Sequence, residues 1–370
     1  MNEERPSVLI ISNGHGEDAV GAALARRLEA AAHTVMAYPL VGTGRNYGRI
    51  PMLEPVRELP SGGFGARGTG LVADLRAGGL GLVRRQRRTL RAERGRYDLV
   101  VAIGDAFCLW MAAATGPAMF IGTAKSSRHD PYSWLDVRII RGLAAHVFAR
   151  DEDTAAALRA RGIDAAYVGN PLMDTIGSAG SGIVRRPDRH VVVLLPGSRQ
   201  EAYVNLENLL RLAGVVTQRA PVDWWCALAP TLDRTKAEAM SPDVNFSTDF
   251  GGTVGSADVV VSLAGTASEQ AAGLGKPVVA FPGSGPQFTP QFLALQQKLL
   301  GDALVSAPTW TEAAAAVLRL LADPEERLRR GAAGRLRMGP PGAIERIAGE
   351  ILKGLKAQTD KRANGQAHSN

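Results

Sequence analysis

Short apolar runs alternate with amphipathic stretches from one end of the chain to the other. "SVLIIS", "TVMAYPL", "DLVVAIG", "PAMFIG", "AHVFAR" and "AAYVG" are the strand candidates of the first half. "HVVVLLPG", "VDWWCALA", "VNFST", "DVVVSLAG" and "KPVVAFPG" are those of the second. Runs this continuously apolar suit strands covered on both faces. Between them, helical periodicity appears at 18–31, 154–161, 201–219, 266–274 and 311–322. Strand and helix in turn predict parallel sheets with helices on both faces.

The rhythm pauses over 169–190, "GNPLMDTIGSAGSGIVRRPDRH", whose "GSAGSG" centre is linker-like, and restarts with "HVVVLLPG". The prediction is an α/β protein of two doubly wound, Rossmann-like domains. They cover residues 1–170 and 189–356, with a linker over 171–188 and a disordered tail over 357–370. A length of 370 residues also argues for two cores. Such domains bind ligands beyond the carboxyl ends of their strands, so a cleft between two of them is the expected site.

The stretch 99–124 is apolar enough to resemble a membrane span, with Asp105 its only charge. Gly104, Gly116, Pro117 and Gly122 instead divide it into strand, helix and strand. The charged start "MNEERPS", leading straight into a strand, predicts no secretory leader.

Hydrophobic and charged contents of 45% and 21% describe a globular chain. A net charge of +7 favours an anionic partner: nucleic acid, an acidic lipid surface or a phosphorylated metabolite. A merely basic, solvated surface is the other reading. Arginines concentrate at 71–96, where Arg76, Arg84, Arg85, Arg87, Arg88, Arg91, Arg94 and Arg96 interleave with Leu71, Leu75, Leu80, Leu82, Val83 and Leu90. Such a segment lies on an anionic membrane with leucines below its arginines. It equally describes a surface helix that packs its leucines inward. Aromatics at 5%, without a helix-turn-helix or an aromatic platform, argue against nucleic acid. Cys108 and Cys226 lie in apolar stretches without metal-ligand spacing, as buried thiols do.

Three loops carry candidate chemistry. "LLPGSRQE", 194–201, follows a strong strand; Pro196 and Gly197 turn the chain, and the amides of Ser198 and Arg199 open a helix. Unpaired N–H groups beside a guanidinium suit a diphosphate, although a plain turn with a solvated arginine fits too. In "SLAGTASEQAAGLGKPVVAF", 262–281, a strand ends at Gly265 and a helix begins at Thr266. Thr266 and Glu269 have capping-box spacing, so Glu269 either caps its own helix or accepts both hydroxyls of a ribose. The third loop, "SNGHGED" at 12–18, squeezes glycines, a histidine and acids between strand and helix. Glu17 and Asp18 there also suit the dipole of a first helical turn.

The motifs "LLPGSRQE", "VGNPLMD" and "GTASEQAAGLGKPVVA" resemble those of lipid-A-disaccharide synthase, a GT-B glycosyltransferase that uses UDP-sugars. "SNGHGED", with "TAKS" at 123–126 and "FARDEDTA" at 148–155, is similar to a group of proteins related to that synthase. The likeness covers most of residues 7–350 and is looser in the first half. It implies the GT-B fold and a UDP-sugar substrate on the second domain, with no further cofactor. Ser198 and Arg199 would then hold the diphosphate, and Glu269 the ribose. Gly197, Gly265, Thr266 and Ser268 would line the phosphate loops, with Gln287 and Gln291 toward the sugar. The acceptor, a lipid or lipid-linked molecule, would meet Asn13, Gly14, Gly16, Glu17, Lys125 and Ser126. "NGHGED" departs from the synthase's own first loop and leaves the acceptor open. The implied place is the inner face of the cell membrane, with 71–96 on an anionic surface and no obligate protein partner.

Inverting transfer needs a base for the acceptor hydroxyl. Asp105, at a strand's carboxyl end, is the first candidate; capping of "AFCLWMAAA" is its other role. His15 is the second, through an imidazole that titrates near neutrality. "DED" at 151–153 matches a metal-binding D-x-D, yet capping of "TAAALRARG" explains it, and no metal is expected.

Overall fold

The structure, a computed structural model, describes residues 7–41, 44–54, 79–177, 183–198, 201–285 and 288–367, and of 79–80 and 358–367 the backbone alone. Arg199 and Gln287 lie outside the described residues, as do residues 71–78 of the arginine-rich segment.

The chain forms two compact units. In the first, β1 (Ser7–Ser12), β2 (Thr34–Pro39), β3 (Leu99–Gly104), β4 (Ala118–Gly122), β5 (Ala144–Ala149) and β6 (Ala165–Ala166) make a parallel sheet ordered β2-β1-β3-β4-β5-β6. In the second, β7 (His190–Leu195), β8 (Val222–Ala227), β9 (Asn245–Ser247), β10 (Val259–Ser262), β11 (Val278–Ala280) and β12 (Leu304–Ser306) are ordered β12-β11-β10-β7-β8-β9, again all parallel. Both are doubly wound: strand order reverses at β1/β3 in one sheet and at β7/β10 in the other. Those switch points are where the helices change face and leave a crevice at the strand ends. Sequence patterning finds every described strand but β12, whose "LVS" is only three residues long.

The 99–124 stretch is β3, a helix over Ala106–Ala112, and β4. Among the described residues no helix is long and apolar enough to cross a membrane.

The unit boundaries differ from the sequence reading. The first unit takes residues 1–175 and 341–370, and the second 176–340. The cause is the last helix, Ala343–Ala367, which also takes up residues 357–367 of the tail expected to be disordered. Ile344, Ile347, Ile351 and Leu355 form one stripe, packed in a core with Val20, Leu24 and Leu28 of the helix His15–Ala30. Each such side chain contributes roughly 1.5–3 kcal/mol on burial. Asp174 fastens the start of this last helix, accepting from the Gly342 and Ile344 amides at 2.5 and 2.7 Å. The "VGNPLMD" motif therefore holds structure together here.

Candidate functional site

Helix capping separates the loops at the switch points from the rest. The described helices beginning after Asp105, Ser133, Asp151, Asp233, Asp249, Thr289, Thr309 and Asp323 each have a side-chain cap from that residue. Those beginning after Gly14, Glu201 and Gly265 have none. These three follow β1, β7 and β10. A first turn without a side-chain cap keeps amide hydrogens and partial positive charge available to an anion; in the helix after Gly14 the carboxylate of Glu17 itself turns back to its own amide.

In the first unit, the register aligns Ser12 with Ile103, Gly104 with Gly122, and Gly122 with Ala149. The next residues along the strand ends are Asn13, Asp105, Thr123 and Arg150. Asn13 Nδ2 donates to Asp105 Oδ1 at 3.1 Å, and the Cys108 amide donates to the same oxygen at 2.9 Å. Asp105 thus caps its helix, as its alternative reading has it, while no other residue's hydrogen bond among those described falls on Oδ2. Burial raises its pKa, with the Asp136 charge adding to the rise. A carboxylate raised by burial, with one oxygen free of other described residues' hydrogen bonds, suits a general base. Asn13 Oδ1, buried, meets no donor among the described residues.

Glu17 reaches out of its helix to this row. Its Oε1 accepts from Thr123 Oγ1 at 3.0 Å, and burial raises its pKa, with the Asp105 charge contributing to the rise and Arg150 opposing it. Arg150, buried, donates to the Thr123 carbonyl at 3.0 Å. Gly104 adopts φ +142°, and a Cβ there would stand 3.3 Å from Asn13 Cβ and 3.6 Å from Glu17 Cγ. Gly14, at φ +143°, leaves room for Glu17 in the same way, since a Cβ would lie 2.6 Å from Oε2. Gly16 lies against Leu172. Gly14 of the opening loop thus makes space for a carboxylate.

Other first-unit candidates separate from this cluster. His15 is exposed, its carbonyl accepts from Asn46 Nδ2 at 3.1 Å, and among the described residues its ring bonds neither Asp105 nor Glu17. Lys125 pairs with Asp136 at 3.1 Å and faces Asp130 at 3.8 Å. Ser126 is fully buried, its hydroxyl accepting from the Arg128 amide at 3.2 Å. Both stabilise the "TAKS" turn. Asp18 is buried beneath the loop; it accepts from Ser12 Oγ at 2.6 Å, and burial pushes its pKa up to about 7. In "DED", Asp151 accepts from the amide and hydroxyl of Thr154, Asp153 pairs with Arg128 at 2.7 Å and Glu152 with Arg159 at 2.5 Å.

In the second unit, β7 and β10 end side by side, Leu195 opposite Ser262. Gly197 follows, packed so that a Cβ would lie 3.5 Å from the Leu263 carbonyl. Ser198 is exposed and its carbonyl accepts from Thr231 Oγ1 at 2.6 Å. Asn205, buried, joins this loop to the next, donating to the Pro196 carbonyl at 3.2 Å and accepting from the Ser284 amide at 2.8 Å. Across the switch point Gly265 is the N-cap, so Thr266 is the first helical residue, exposed, and the capping-box geometry allowed by its spacing to Glu269 is not formed. Glu269 is buried in that first turn. Ser268 bonds Ser262 Oγ at 2.7 Å and the Ala264 carbonyl at 2.5 Å, which makes it a brace of the loop. Gln291 is exposed at the start of the helix Pro290–Leu300.

No protein-family model matches the chain. Lipid-A-disaccharide synthase of Syntrophus aciditrophicus (strain SB) is 34% identical over 139 residues, 33% of this chain and 35% of that protein. The same enzyme of Azoarcus sp. (strain BH72) is 34% identical over 136 residues, 32% and 34% of the two chains. The match thus spans about a third of these relatives' length. Among solved structures, the calicheamicin glycosyltransferase aligns with a TM-score of 0.63 at 16% identity, covering 95% of this chain and 98% of that one. UDP-GlcNAc 2-epimerase from Neisseria meningitidis, bound to UDP-GlcNAc, aligns with a TM-score of 0.63 at 15% identity, covering 94% and 100%. The fold is GT-B.

Several residues in or beside the strand-end loops have no role assigned by sequence reasoning: Thr123 and Arg150 at strand ends, and Asn205 and Gln296 on helices that pack against the loops. Thr123 follows "FIG" as Asp105 follows "AIG", a parallel that marks the same edge of the sheet. Arg150 is a charge directly after an apolar strand, and Gln296 is a polar residue on the apolar face of its helix.

The arginine-rich segment is a helix over Gly79–Ala92. Leu90 is fully buried, Val83 packs against the core and Gln86 donates to the Leu40 carbonyl at 2.7 Å. Arg87 lies 3.6 Å over the Trp110 ring. Arg84, Arg85, Arg88 and Arg91 are exposed. Val83 and Leu90 thus face the protein, not a bilayer, and the outward face is cationic.

Proposed function

We propose that the chain is a glycosyltransferase that moves a sugar, of the N-acetylglucosamine or hexose type, from a UDP-sugar to a lipid or lipid-linked acceptor. The observation that carries this reading is the pair of uncapped helix starts beside the β7/β10 switch point, with the Glu269 carboxylate buried in one of them. The first turns suit a diphosphate and the carboxylate suits ribose hydroxyls. Arg199, by its place in "PGSR", adds charge to the same loop. The names of the relatives, and the UDP-GlcNAc bound by the epimerase of like fold, support the donor class.

In this mechanism the acceptor hydroxyl attacks the anomeric carbon as its proton passes to Asp105. The bond from that carbon to the diphosphate oxygen breaks, and UDP leaves with the electron pair, so configuration inverts. Asn13 orients the Asp105 carboxylate, and Glu17 with Thr123 and Arg150 shapes its surroundings. The lipid acceptor brings the protein to the inner face of the cell membrane, where Arg84, Arg85, Arg88 and Arg91 meet anionic headgroups.

The test offers the purified protein a panel of UDP-sugars with total membrane lipid. The expected result is UDP release together with a labelled glycolipid from one donor. A second reading, a UDP-sugar 2-epimerase, is favoured by the fold shared with such epimerases. It predicts a changed sugar without transfer to lipid. Neither product from any donor would remove both readings.

A further inference from the structure

The helix Pro290–Leu300 turns Leu293, Gln296 and Leu300 inward at spacings of three and four. Two of these belong on an apolar face and Gln296 does not. It is 4% exposed, and its Oε1 meets no donor among the described residues. Its Nε2 lies 3.9 Å from where a Cβ on Gly265 would stand, and Phe292 Cζ lies 3.1 Å from the same point. Gly265 is the N-cap of the helix Thr266–Gly273, whose first turn has no side-chain cap. A Cβ there would press on the Phe292 ring and touch the Gln296 amide, so the amide lies beside the helix start.

Two independent features from separate segments therefore meet at one place. The helix start offers amide hydrogens and partial positive charge, which suit a phosphate oxygen. Gln296 offers a buried acceptor, which suits a hydroxyl. A buried amide oxygen left unpaired destabilises the free protein, and a ligand that supplies the donor recovers that loss. The ligand that fits both carries a hydroxyl close to a phosphate.

We propose that Gln296 is a specificity-determining residue of the second unit, whose Oε1 accepts a hydrogen bond from a hydroxyl of a phosphorylated sugar. This deepens the donor reading above and rests on it. The hydroxyl belongs either to the ribose of the nucleotide or to the sugar being transferred. A site with such an acceptor discriminates against analogues that lack the hydroxyl.

The test titrates the full-length wild type and Gln296→Leu with UDP and with UDP-N-acetylglucosamine by calorimetry, and follows thermal unfolding without ligand. Gln296→Met, close in shape to glutamine, replaces the leucine variant if that one does not fold. The expected result is about tenfold weaker binding by the variant, equivalent to roughly 1.4 kcal/mol, with unfolding of the free protein unchanged or at higher temperature. Weakening toward both ligands assigns the ribose hydroxyl, and weakening toward UDP-N-acetylglucosamine alone assigns the transferred sugar. Wild-type affinity for both ligands in the variant would overturn the proposal and leave the donor reading standing, the more so with a lowered unfolding temperature, which marks a packing residue. Failure of the wild type itself to bind either ligand would overturn the donor reading and this inference together.

Discussion

Asn13 donates a 3.1 Å hydrogen bond to Asp105, across 92 residues of sequence and the β1/β3 boundary. The bond falls on Oδ1, which the Cys108 amide also uses, and so leaves Oδ2 without a hydrogen bond from another described residue, free for the basic role proposed above. Capping and catalysis, alternatives in the sequence, are compatible because a carboxylate has two oxygens.

Asp105→Asn preserves the cap, since asparagine caps helices as well as aspartate does. The unfolding temperature should stay close to wild type, UDP affinity should be unchanged, and turnover should fall at least about a hundredfold. UDP release, calorimetry and a thermal melt check the three together. Full activity in this variant, with loss in His15→Ala, would move the base to the histidine.

Asp18 predicts a pH dependence of stability. Burial raises its pKa from 3.8 to about 7 in the folded protein. Between these values the folded state holds a proton that the unfolded state has released. Stability from this group is complete below 3.8 and is lost as pH rises to about 7. Asp18→Asn should therefore flatten the fall across that window by up to about 4 kcal/mol, measured as the difference between variant and wild-type denaturation curves over pH.

Gly104→Ala and Gly116→Ala form a matched pair. Their φ angles are +142° and +144°, so each alanine should cost about 1–3 kcal/mol of backbone strain. A Cβ on Gly116 meets nothing within 4 Å, whereas one on Gly104 meets Asn13 and Glu17. Both variants should melt lower, and Gly104→Ala alone should also lose turnover at temperatures where it is folded.

Ser268 and Glu269 are neighbours with different work. Ser268→Ala removes two internal hydrogen bonds and should lower stability by about 1 kcal/mol while leaving UDP affinity within twofold or so. Glu269→Gln should weaken UDP binding about tenfold, since charged hydrogen bonds to a ligand contribute about 1.5–3 kcal/mol. Calorimetry and thermal melts on the two variants separate brace from contact.

Combined replacement of Arg84, Arg88 and Arg91 by glutamine should abolish sedimentation with vesicles of anionic lipid and spare activity on a soluble acceptor. Binding by the wild type should weaken steeply with salt, because Arg84, Arg88 and Arg91 contribute charge at the surface of the helix.

By itself the sequence determined the alternation of strand and helix, nearly all the strands, and the edge of each sheet on which Asp105, Gly197 and Gly265 lie. Those follow from local patterning: an apolar run, then a turn, then a helix start. Tertiary structure decided what local patterning does not carry. Strand order put β1 beside β3 and β7 beside β10, which is why "SNGHGED" shares an edge with Asp105, and "LLPGSRQE" with Glu269. The last helix joined the first unit because its isoleucine stripe fits a helix more than three hundred residues earlier in the chain. Ser126, Lys125 and Ser268 proved to be braces, and Gln296 a buried acceptor, since a side chain's partners are chosen by packing between segments. The opening loop needs Gly14 for the same reason: it leaves space for Glu17, which bonds Thr123 at the end of another strand.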